Sequence, residues 1–315
     1  QCAQGKGSTP GHKNERPEHH KPKKWLEQVD WDFVGPVAPS FTGNVWCLTA
    51  VDEFTGWVVN YPTKSKADAA DRLERFCAEV GQPQRVRSDN AKEFKEEKCK
   101  WRKVCANQTP PIIPTYSQPY TPQANGKVER FNRTNFDAIR CNLVGVDNLL
   151  WDWAAKYTEY VWNRIPRADD KKSPFESGFD RKPAIKHFRR FGCLAYQKVH
   201  VKRGKLGPKC QTGVFPGYSA NHAHLVGSWM KDERCTTKIK FVVSENRSVK
   251  FDENILIDDI NKLKKGNHGV YVPFTDPTTI ESSVVDPDVT VVPGDRGESR
   301  PSRGAPGAGG TQGDI

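Results

Sequence analysis

The chain has 315 residues, room for roughly two domains at about 150 residues each, and carries 49 Lys and Arg against 38 Asp and Glu, a formal charge of +11. Counting glycine and leaving out tyrosine, about 41% of it is apolar, slightly under the ~45–50% of globular domains, so part of the chain lies outside any core. Its longest apolar stretches, such as Val45 to Leu48 and Ile255 to Ile257, exclude a membrane-spanning helix of about 20 residues, and the cationic surplus points to a polyanionic partner, nucleic acid above all, over a merely soluble basic protein.

Residues 1–24 are polar, with His12, His19 and His20 among Lys, Gly and Pro, and read as a linker. The only methionine is Met230, so the sequence reads as a processed product or a piece of a longer polypeptide. No signal segment opens it, and its nine cysteines, an odd number without a tight framework, read as reduced intracellular thiols. From Gln28 to Val34 residues alternate, with Val29, Trp31 and Phe33 on one side and Asp30 and Asp32 on the other, which predicts a strand; Val45 to Val51 and Trp57 to Tyr61 follow as two more. Ala69, Leu73, Phe76 and Cys77 stand at helical spacing within Lys66 to Val80, and Gln84 to Arg87 is a short fourth strand leading into Ser88-Asp89-Asn90. A helix is expected from Lys92 to Val104, a loop from Asn107 to Gln123, and helices from Ala124 to Leu143 and Asn148 to Trp162, the last with an aromatic stripe that reads as core.

Short strands resume at Cys193 to Val199, Gln211 to Tyr218, Lys238 to Val243 and Arg247 to Phe251, a small β-domain. Between Arg181 and Cys210 stand ten cations and no acid: Arg181, Lys182, Lys186, Arg189, Arg190, Lys198, Lys202, Arg203, Lys205 and Lys209. With Phe188, Phe191 and Tyr196 interleaved, this pattern fits DNA-backbone binding, whose affinity falls steeply with salt and depends little on sequence; the alternative is a solvated barrel surface. Pro293 to Ile315 holds 7 Gly and 3 Pro in 23 residues, a composition expected to stay disordered. Lys21 to Lys24 and Lys262 to Lys265 are short basic runs of the nuclear-import kind, and the Asn-X-Ser/Thr triplets at Asn107, Asn132 and Asn246 carry no meaning in a cytosolic or nuclear protein.

Three carboxylates stand out by position: Asp32 on the first strand, Asp89 after the fourth, and Glu129 near the start of a helix. In a sheet of order 3-2-1-4 the two Asp residues converge and the helix lays its Glu alongside. Such a cluster suits hard divalent cations, and two Mg²⁺ about 4 Å apart would activate a water or hydroxyl and stabilise the leaving oxygen in an in-line phosphoryl transfer. Taken singly, each has an ordinary explanation: a polar strand face for Asp30 and Asp32, a turn or cap for Asp89-Asn90, an i,i+4 pair with Arg133 for Glu129.

Asp32-Phe33-Val34-Gly35-Pro36, then Ser88-Asp89-Asn90-Ala91-Lys92-Glu93-Phe94, then the run from Pro119 to Arg130 ending Asn125-Gly126-Lys127-Val128-Glu129-Arg130, resemble in order the three acidic motifs of retroviral-type integrase catalytic domains. Lys172-Ser173-Pro174-Phe175-Glu176, Phe191-Gly192-Cys193-Leu194-Ala195-Tyr196, Lys205 to Cys210, Gly213-Val214-Phe215-Pro216-Gly217-Tyr218-Ser219 and Val249-Lys250-Phe251-Asp252-Glu253 resemble the region after the core in copia-type retrotransposon polyproteins, so the likeness covers about residues 25–255. It implies an α/β fold, an RNase H-like mixed sheet flanked by helices, followed by a small β-rich domain and a disordered tail. It also implies an integrase that joins element DNA 3′ ends to target DNA, with Asp32, Asp89 and Glu129 holding two Mg²⁺ or Mn²⁺ ions and no covalent enzyme intermediate. Asp32 rather than Asp30 matches, two residues before the Gly-Pro pair. Asn125, Lys127 and Arg130 are candidate DNA contacts.

The domains expected are a linker at 1–24 after a truncated zinc module, a catalytic core at 25–166, a connector at 167–190, a small basic β-domain at 191–255 and a tail at 256–315. Cys2 alone cannot hold zinc, and the spacing of His12, His19 and His20 matches no zinc pattern, so no zinc is expected here. Two departures from the motif stand out: 39 residues separate Asp89 from Glu129, more than is usual, and Ala91 replaces a common Gly. Double-stranded DNA, further copies of the chain and the nucleus at the time of integration are the expected partners and place. The rivals are a non-catalytic remnant or host-adopted DNA-binding protein, and a different RNase H-like nuclease or transposase.

Overall fold

The computed structural model describes residues 21–117, 126–166, 171–198, 209–219, 223–232 and 235–256. The amino-terminal histidines, Asn125, the Lys202 to Lys205 cations, the Lys262 run and the glycine-rich tail lie outside them. No described helix is long and apolar enough to cross a membrane.

Strands β1 (Gln28–Val34), β2 (Trp46–Asp52) and β3 (Val58–Thr63) form an antiparallel meander, and β4 (Arg85–Ser88) and β5 (Ile113–Tyr116) add parallel to β1, giving one sheet of order β3-β2-β1-β4-β5. This is the expected RNase H-like mixed sheet flanked by helices. The alternation read in β1 is real: Val29 and Trp31 are fully buried against α1 (Ala69–Glu79) and α3 (Lys100–Asn107), with the Trp31 ring 5.3 Å from Phe76 and 5.2 Å from Trp101. Each such side chain contributes about 1.5–3 kcal/mol by leaving water. Asp30 and Asp32 point to the other face, covered by α4 (Gly126–Asn142) and α5 (Trp151–Trp162).

The helix expected from Lys92 to Val104 is two, α2 (Lys92–Lys95) and α3, with Glu96 extended between them. The break folds Trp101 back onto Phe94, ring centroids 4.8 Å apart. One continuous helix would hold residues seven apart roughly 10 Å from each other. The expected loop from Asn107 to Gln123 contains β5, whose Pro114 suits a sheet edge. The connector contains α6 (Pro174–Phe179), which Ser173 caps by accepting from the Glu176 N–H at 3.1 Å.

A second sheet has order β10-β6-β7-β8-β9, from β6 (Cys193–Lys198), β7 (Cys210–Tyr218), β8 (His224–Asp232), β9 (Cys235–Asn246) and β10 (Val249–Leu256). β8 went unread because Gly227 weakens its strand pattern, yet the Phe241 ring occupies the space a Cβ at 227 would need. β10 runs five residues past Phe251, where its strand was expected to end, with Leu256 buried.

Helix α5 serves both sheets. Trp151 and Trp153 share one apolar cluster with Phe191, Val214, Leu225 and Val243, and Tyr160 another with Phe215 and Tyr218. On its other side it seals the edge of the first sheet. The outward peptide groups of β3 at Val58 and Asn60 have no strand to pair with, and α5 and its cap supply side chains instead. Asn163 Oδ1 accepts from the Val58 N–H at 2.9 Å and its Nδ2 donates to the Val58 carbonyl at 2.8 Å. Glu159 Oε2 accepts from the Asn60 N–H at 2.7 Å, and Lys156 Nζ donates to the Asn60 carbonyl at 3.0 Å and to Glu159 at 2.7 Å. Four helical residues rise about 6 Å and two strand residues about 6.8 Å, so the spacing matches. Burial pushes the Glu159 carboxyl up, and the Lys156 ammonium draws it back. We predict that Asn163→Ala, which orphans both Val58 groups, costs about 2–4 kcal/mol in urea denaturation, whereas Lys172→Ala on the surface costs under about 0.5 kcal/mol; equal effects would show that the edge is not held this way.

Candidate active site

Asp32 sits near the carboxyl end of β1, half-buried, beneath α4. Asn132 Nδ2 donates to its Oδ2 at 2.9 Å. Burial pushes the Asp32 carboxyl up to about 6; the hydrogen bonds from Asn132 and the Phe33 backbone oppose this, while the negative charges of Asp89 and Glu129 add to it. Of the three carboxylates picked from the sequence, Asp89 and Glu129 thus bear on Asp32 through their charge. Asp89 follows β4, exposed, and its Oδ1 accepts from the Ala91 N–H at 3.1 Å, so the turn role weighed for it is realised as well. Asn90 braces that turn by donating to the Ser117 carbonyl at 2.6 Å and accepting from Lys95 at 3.1 Å. Glu129 lies exposed in the first turn of α4.

Among the described residues no three His, Cys, Asp or Glu side chains stand close enough together to hold one metal ion. The expected cluster thus shares a field without forming a coordination sphere. Asp89 is instead engaged within its own loop, by the Ala91 N–H. The donors still suit a hard cation: of the three carboxylates, Asp32 is raised chiefly by burial and further by the charges of Asp89 and Glu129, and a divalent ion among them would relieve both.

Two residues away, Asp30 has a different fate. It is fully buried, ion-paired with Arg87 and bound by Gln28 Nε2 at 3.0 Å; burial raises its carboxyl to about 6, Arg87 pulls it down, and Glu53 adds to the rise. Glu53 joins this network through Gln28 at 2.7 Å and Arg87 at 3.5 Å. Asp30 has its cation built in, and Asp32 does not.

Arg130, Arg181, Lys182, Lys186, Arg190, Lys198 and Lys209 are exposed, and Arg189 is half-buried. Lys127 is half-buried and turned inward, donating to the Glu53 carbonyl. The run without acids in sequence meets one in space: Glu253 on β10 accepts from the Arg190 N–H at 2.9 Å and lies 3.9 Å from Arg189 Nε. Asn132 escaped notice as a functional residue, although its position three after Glu129, on the same side of a helix, was the available signal.

Residues 22–122 match the integrase core domain family, a span that includes Asp32 and Asp89 and stops short of Glu129. The chain is similar to the retrovirus-related Pol polyprotein from transposon TNT 1-94 of Nicotiana tabacum, 28% identical over 275 residues, 82% of this chain and 20% of that polyprotein. It is also similar to the Pro-Pol polyprotein of simian foamy virus type 3 (strain LK3), 34% identical over 119 residues, 37% and 10% of the two chains, and to the Pol polyprotein from transposon 412 of Drosophila melanogaster, 28% identical over 190 residues, 58% and 14%. It thus spans a fifth or less of these relatives. Among solved structures it is similar to a chain of the simian T-cell lymphotropic virus intasome in complex with PP2A regulatory subunit B56 gamma, with TM-score 0.46 and 16% identity over 77% of this chain and 84% of that one. The HTLV-2 integrase catalytic core domain in complex with magnesium gives TM-score 0.40 and 17% identity over 49% and 97%. The family match and the polyprotein relatives bear out the resemblance to integrases of LTR-retrotransposon type.

A carboxyl raised in the folded state favours folding below its unfolded value near 3.9, and that contribution is lost as pH rises through about 6. Asp32→Asn removes the ionisation, and its amide can donate to Asn132 Oδ1, which is buried without a partner. We predict that Asp32→Asn stabilises the metal-free protein at pH 7 by about 1–2 kcal/mol and flattens the stability change between pH 4 and 7; denaturation at several pH values checks this, and a destabilised variant would contradict it.

Proposed function

We propose, from the match of residues 22–122 to the integrase core domain family, that this chain is the integrase region of a copia-type retrotransposon polyprotein, a metal-dependent transferase that joins element DNA 3′ ends to target DNA. The observation that carries the reading is Asp32, half-buried on β1 with the charges of Asp89 and Glu129 bearing on it. Asp32, Asp89 and Glu129 would hold Mg²⁺ or Mn²⁺, which supplies activation of the attacking oxygen and charge stabilisation at the leaving one. The chain's own residues do the rest. Asn132 fixes the rotamer of Asp32, and the Asn90–Ser117 bond holds the Asp89 loop against the end of β5.

Arg130 and the exposed cations Arg181, Lys182, Lys186, Arg190, Lys198 and Lys209 would bind DNA phosphates, joined by Asn125, Lys202, Arg203 and Lys205 and by the half-buried Arg189. Assembly of several copies on two DNA ends, and work in the nucleus, follow from the same reading. The rival, a host-adopted or remnant DNA-binding protein without chemistry, draws on the separation of the three carboxylates.

A branched DNA that mimics the integrated product separates the two. With Mg²⁺ or Mn²⁺ the chain is expected to reseal the strand, and Glu129→Gln or Asp89→Asn to lower the rate at least about 100-fold while leaving DNA affinity within about twofold. Binding without resealing, in this chain and in one extended upstream, would favour the rival.

A further inference from the structure

Lys127 and Glu129 lie two positions apart on α4, roughly 200° around its axis. The two side chains therefore leave the helix on different sides. The Lys127 ammonium donates to the backbone carbonyl of Glu53, in the turn between β2 and β3. That turn is rigid: Asp52 accepts from the Leu26 N–H at 3.0 Å, and from the Thr55 N–H and hydroxyl at 2.7 Å each. The Glu53 side chain is tied down by Gln28. Burial pushes the Asp52 carboxyl up, and the charge of Lys127 is among the influences that draw it back, which puts the ammonium close to both residues of the turn. Further along α4, Asn132 bonds Asp32, and Asn135 and Asn60 exchange two amide hydrogen bonds at 3.1 and 3.2 Å. Those bonds hold the helix beyond Glu129. Lys127 holds it on the near side.

We propose that Lys127 is a positioning residue: by tying the first turn of α4 to the β2–β3 turn it sets where Glu129 stands relative to Asp32 and Asp89, and it is not a DNA phosphate contact. Its catalytic consequence rests on the integrase reading; the anchor does not. A surface lysine on this helix would be expected to reach DNA, so the two roles make opposite demands on one side chain.

The test uses the full chain with Lys127→Met, which keeps the apolar stem, and Lys127→Arg, which restores a donor. Lys127→Met is expected to speed hydrogen exchange at the Arg130, Phe131 and Asn132 amides, which close the first helical turn, by about tenfold or more. It should also raise several-fold the Mn²⁺ concentration at half-saturation, read by Mn²⁺ magnetic resonance without DNA. Lys127→Arg should recover both. The slope of log affinity against log salt for duplex DNA should stay as in the parent chain. A slope smaller by about 0.9, the loss of one phosphate contact, or unchanged exchange in α4, overturns the proposal. Lys127→Gln, too short to reach Glu53, repeats the measurement should Lys127→Met not fold. Should the parent chain and one extended upstream both bind DNA without resealing it, the integrase reading falls, yet the exchange data still decide the anchor.

Discussion

The arrangement depends on one constraint: peptide groups at the open edge of the first sheet must find partners away from water. Asn60 is where that requirement is met most densely. Its N–H goes to Glu159, its carbonyl to Lys156, and its amide side chain to Asn135, Ala155 and Thr49. One residue of β3 thereby fixes α4, which carries Glu129, and α5, which carries the second sheet. An apolar edge would have left both helices free to slide. Polar contacts with fixed donors and acceptors give them a register, because a buried amide out of register loses more than it gains elsewhere.

The same logic separates two aspartates that look alike in sequence. Asp30 and Asp32 share a strand face, and burial raises both carboxyls to about 6. Asp30 is answered by an arginine of the neighbouring strand, so its charge is absorbed into the fold. Asp32 faces Asp89 and Glu129 instead. Asp32 keeps one hydrogen bond from Asn132 and the field of two further carboxylates.

What could be read from sequence was what repeats locally. The ends of β1 follow from its alternation, and the cores of α1, α4 and α5 from helical spacing. The fold-back at Glu96 was hidden because Phe94 and Trp101 stand seven apart, a separation that also satisfies a straight helix. β5 was masked by Pro114, tolerated at the sheet edge, and β8 by Gly227, whose place the Phe241 ring of β9 explains. The three acidic residues were legible as motifs. The contacts around them were not, since Asn132 meets Asp32 across 100 residues and Lys127 meets Glu53 across 74. Glu253 likewise enters the basic run from 63 residues beyond Arg190.

The sealing of β3 by α5 also has a cost in time. Val58 and Asn163 are 105 residues apart. At roughly 5–20 residues per second of synthesis, the strand and its sealing residue emerge about 5–20 s apart. Over that interval the nascent meander presents an open, apolar strand edge of the kind that pairs with other chains. On a message read by several ribosomes at once, neighbouring copies would hold the same edge open together, so yield should depend on elongation rate and on chaperones near the exit tunnel as well as on the stability of the finished fold.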